Sequence, residues 1–239
     1  MSAEHHMALE RGLAEIIARF QDAPDLFLHD ADLHAALFAV LERDGALAAR
    51  YATRDGRWTH LVHHQYPAFL AYEDGLAVGL PAERPRYDLV VLNPSFVRTY
   101  DLEVVANSRP ERARALRALP EGARPTPLLA ALNARLVEEC TAATMAELEA
   151  AFYALVRAEP DAERAYLAVL VRHWDLYGPL RQVLEAMERW AENHNTISLV
   201  FVQSYRDDVG RVFGGRYLNL WSHMAPLPPL EPPYPPAVR

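Results

Sequence analysis

Three short runs of apolar, β-branched-rich residues, at 89–92, 167–171 and 197–202, constrain this chain more than any other feature. Each is bounded by polar residues or proline, which is how a strand buried on both faces reads. Between the last two runs, Leu180, Val183, Leu184, Met187 and Trp190 recur at helical spacing within 179–191. A strand, a helix and a strand in that order make a parallel crossover, right-handed by the general rule. The sequence therefore predicts an α/β protein, with a mixed central β-sheet flanked by helices and these three runs as its inner strands.

The rest of the chain is arranged around that core. Apolar stripes predict helices over about 8–20 and from Asp30 or Asp32 to Arg43, the second opened by its acidic residues and stopped by Asp44-Gly45. A β region begins at 57–65. Residues 69–78 carry Glu73-Asp74-Gly75, a hairpin signature. Past the central strand, Asn93-Pro94 signals a turn, 102–106 a short edge strand and 109–119 a basic helix. Thr126-Pro127 is read as capping a helix that runs to about Cys140, and Thr144 with Glu147 as a capping box for another over 145–158. The stretch 108–160 is thus expected to be a helical insertion between sheet strands, serving as a lid or dimerisation element. Gly214-Gly215 is read as a turn between strands. Residues 1–224 form one expected domain, and 225–239, holding seven of the 18 prolines, a proline-rich tail.

Composition removes whole mechanisms. All 24 basic residues are arginine, so a Walker phosphate loop, a Schiff-base lysine and a Ser–Lys hydrolase all lack their ammonium. A net charge of −8 opposes a broad nucleic-acid surface, because duplex binding rests on neutralising phosphates, although a local basic patch stays open. Cys140 is the single cysteine, so no internal disulfide forms. No apolar run reaches the length of a membrane span and the first residues lack the basic-then-apolar order of a leader, so the expected location is the cytoplasm, with no membrane partner. No serine sits in a nucleophile elbow. His60, His63 and His64 fall in one predicted strand, where alternation pairs His60 with His64. No third ligand for a metal has a sequence signal there. His29, His34 and His173 are a further set that the fold would have to assemble.

An acidic residue opening a strand, then strand, helix and strand, resembles the core of the restriction-endonuclease-like PD-(D/E)XK superfamily. The resemblance implies an acidic helix before the sheet, here the one carrying Asp30 or Asp32. It also implies a strand-opening Asp, matched by Asp88 in Arg86-Tyr-Asp-Leu-Val-Val-Leu, followed by a third strand carrying a carboxylate and a lysine. In the family the two carboxylates hold a divalent metal that activates water against a phosphodiester. Here Leu170 stands at the second carboxylate and Arg172 at the lysine. The candidate catalytic residues are accordingly Asp88 and Arg172, with Asp88 as metal ligand and Asp101, Glu103, Asp175 or Glu185 as a carboxylate brought in from elsewhere. Three functions follow as expectations. The first is a nuclease-fold protein with a degenerate metal site, non-catalytic and nucleic-acid-associated or accessory. The second is an active magnesium-dependent nuclease with a rearranged site, and the third a non-enzymatic protein-interaction protein. The expected partners are nucleic acid, a protein or a second copy of the chain.

Overall fold

A computed structural model describes residues 2–68, 86–108, 116, 119, 125–139, 141–158, 161–172, 182–183, 186–187, 189, 196–206 and 209–220. The chain opens with helix α1 (Ser2–Asp22), a 3₁₀ turn at Pro24–Leu26 and helix α2 (Asp30–Arg43). A two-stranded hairpin, β1 (Tyr51–Ala52) with β2 (Trp58–Thr59), then leads into β3 (Val62–Pro67) and β4 (Arg86–Leu92). Short helices α3 (Pro94–Thr99) and α4 (Leu102–Val105) precede β5 (Leu128–Val137) and α5 (Ala142–Ala158). The last strands are β6 (Ala162–Val171), β7 (Ile197–Arg206) and β8 (Val212–Leu220).

Strands β3 to β8 form one six-stranded sheet in chain order. β5, β6 and β7 are parallel, and the pairs β3/β4, β4/β5 and β7/β8 are antiparallel. The three apolar runs are thus the inner strands β4, β6 and β7 of one mixed sheet. Leu89, Val91, Leu167, Val169, Val171, Leu199 and Phe201 are all buried. Each side chain buried to this degree favours the fold by about 1.5–3 kcal/mol relative to exposure. Helix α5 packs on β5 and β6, α2 on β3, β4 and β5, and α1 on β7 and β8. The stripe Leu9, Leu13, Ile16, Ile17 and Phe20 that predicts α1 is its buried face. Among the described residues, no helix is long and apolar enough to cross a membrane.

The structure corrects several sequence expectations. Residues 128–137 are not helical but form β5, a strand in the middle of the sheet. Alanine and leucine favour helix in isolation, yet here both faces of the segment are covered, and packing between β4 and β6 overrides that preference. The stretch 108–160 is therefore no helical insertion: it contributes β5 and the crossover helix α5. That helix starts before Thr144, whose backbone N–H is accepted by Thr141 Oγ1 at 3.2 Å, so Thr141 caps it. Residues 102–105 form one helical turn rather than a strand, closed by the Val105 N–H on the Asp101 carbonyl at 3.0 Å. Gly214-Gly215 lies within β8, and the turn falls earlier, where Gly210 takes φ +83. His60 precedes β3 and shares no strand alternation with His64. The hairpin signature at 69–78, Cys140 and the tail at 225–239 lie outside the described residues.

Candidate functional site

Helix α2 begins one turn from the sheet. The backbone carbonyl of His29 accepts the N–H of Asp32 at 3.0 Å, and the Asp32 carboxylate accepts the N–H groups of Leu28 at 2.9 Å and His29 at 3.1 Å. Asp32 is therefore part of this cap. Leu33, Leu37, Val40 and Leu41 seat the helix on the sheet and aim Asp30 and His34 at β5.

At the same place the ladder between β4 and β5 ends. Its last pair is Leu89 with Leu132, and beyond it side chains take over. The N–H of Asp88 donates to Asn133 Oδ1 at 3.1 Å, and the N–H of Ala134 donates to Asp88 Oδ2 at 2.9 Å. Asn133 in turn donates to the Ala151 carbonyl of α5 at 2.9 Å. Helix α2 supplies the remaining partners: Asp30 Oδ1 accepts the N–H of Leu136 at 2.6 Å, and His34 Nε2 donates to the Ala134 carbonyl at 2.9 Å. The edge of β5 is thus finished by carboxylate and imidazole groups where a strand would otherwise lie. A buried strand edge with unpaired amides would cost about 1–3 kcal/mol per group.

Asp88 is the charged centre of this seam. It is 6% exposed. Arg135 Nη1 lies 2.5 Å from its Oδ2, and His34 Nε2 lies 3.4 Å from the same oxygen. Arg135 also reaches Asp30, with Nε to Oδ2 at 3.8 Å. Burial pushes the Asp88 carboxyl up, but the hydrogen bond and charge of His34, the Arg135 guanidinium and the Ala134 N–H together hold it below the usual carboxylate range. Burial likewise opposes charge on His34, and Arg135 repels it. The adjacent Asp88 carboxylate and the Ala134 carbonyl outweigh both and raise its pKa.

The other sequence candidates go elsewhere. Arg172 is separated from Asp88 by the whole of β5. Its guanidinium donates to the Phe27 carbonyl at 3.0 Å and pairs with Glu138, so the cation on Asp88 is Arg135, not Arg172. Asp101 is held bidentately by Arg54, at 3.0 and 2.7 Å, and Glu103 lies on the turn α4 beside it. Asp175, Glu185 and His173 lie outside the described residues. The residues that sequence reasoning missed are Arg135 and Asn133, both hidden inside the presumed helix. A signal was present: the run Leu-Leu-Ala-Ala-Leu has no polar face before Asn133, as a doubly buried strand does not.

The seam lies towards the carboxyl ends of the parallel strands β5 and β6, where open α/β sheets gather ligands. As arranged, its donor set does not fit a dication. Hard dications take six or more oxygens, while here two carboxylates converge on a guanidinium already in place. Among the described residues, no group of three or more His, Cys, Asp or Glu is placed to hold a metal. Comparison with protein-family models, with curated proteins and with solved structures gives no match to this chain.

Proposed function

We propose that this chain is a non-catalytic protein with a nuclease-like frame, nucleic-acid-associated or accessory in role, in which an arginine takes the place of a metal ion. The observation that carries the reading is the Arg135 guanidinium 2.5 Å from Asp88. Opposite unit charges at about 4 Å attract by roughly 4 kcal/mol at an effective dielectric of 20, and a dication would have to displace that cation to reach the carboxylate. A guanidinium is always protonated and cannot act as the general base that hydrolysis needs.

A rearranged magnesium-dependent nuclease is the second reading. It is favoured by the convergence of Asp30 and Asp88 on one cation, at 3.8 and 2.5 Å. One titration separates the two. The full chain is mixed with labelled single- and double-stranded DNA and RNA while magnesium or manganese is raised. Binding without metal-dependent cleavage is the expected result. Robust cleavage that Asp88→Ala abolishes with the fold intact replaces the first reading by the second. Neither binding nor cleavage removes the nucleic-acid role.

A further inference from the structure

We draw no further inference here: the strongest candidate, the surface patch on the β1–β2 hairpin where the exposed Trp58 stands beside Arg54 and Arg57, carries nothing, because Asp101 and Asp55 already hold those two guanidiniums and nothing in the structure shows what covers the indole.

Discussion

Replacing Asp88 by alanine tests the seam at its centre. The substitution leaves the Ala134 N–H without its acceptor, takes the nearer of two carboxylates from Arg135, and returns His34 to the Ala134 carbonyl alone. Breaking a buried ion pair by removing one partner costs about 3–5 kcal/mol. The lower end applies here, because the Arg135 side chain is 23% exposed and Asp30 stays 3.8 Å from it. Urea unfolding should therefore report a loss of about 3 kcal/mol, or a Tm lowered by about 6–12 °C for a chain of this size. The loss carries a pH signature. Asp88 titrates below its unfolded value, so its contribution is fully present above about pH 4 and disappears as pH falls through the folded value. Wild type and Asp88→Ala should converge in acid. In a double-mutant cycle with Arg135→Ala, the coupling should exceed about 1.5 kcal/mol, as contacting charged groups do. A loss under about 1 kcal/mol that is independent of pH would show that the pair contributes nothing, and the account of the seam would fall with it.

His34→Gln has the opposite pH dependence. His34 titrates above its unfolded value, so the stability it adds is complete below about pH 6.5 and is lost as pH rises through the folded value. The gap from wild type should narrow between about pH 6 and 8, and a flat profile contradicts the His34–Asp88 contact. Asn133→Ala leaves the buried Asp88 N–H without its acceptor and takes the Asn133 amide from the Ala151 carbonyl of α5, and should cost about 2 kcal/mol by urea unfolding. A cost under about 0.5 kcal/mol would mean that water replaces the bridge.

The inner strands were legible because their signal is local. Residues 89–92 and 167–171 are continuous apolar runs and 197–202 is one broken by Ser198, and their short length and polar or proline flanks mark strands covered on both sides. Helices α1 and α2 were legible for the complementary reason, an apolar stripe at helical spacing beside a polar one. Strand β5 was not, because its leucines and alanines carry a strong helical preference that only the flanking strands overrule. That one misreading hid Arg135 and Asn133 and left Arg172 as the candidate to share a site with Asp88. The acidic start of α2 and Asp88 were singled out from the sequence, and both belong to the seam. Their partner cation was not, since nothing local marks which of 24 arginines reaches a given carboxylate.

Strictly consecutive strand order governs how the chain assembles. From β3 onward every strand pairs with the next one synthesised, so the sheet grows from one edge by short steps and none of its strands waits for a distant partner. Helix α1 is the exception. Its apolar face lies against β7 and β8, the Ser204 hydroxyl donates to the Gln21 carbonyl at 3.1 Å, and Arg206 pairs with Asp25 at 2.6 Å. On a ribosome, where domains form as their last elements emerge, α1 completes its packing only when β7 and β8 arrive. Until then the face carrying Leu9, Leu13, Ile16 and Phe20 has only α2 and β5 to cover it, and α1 is a stretch a chaperone would meet.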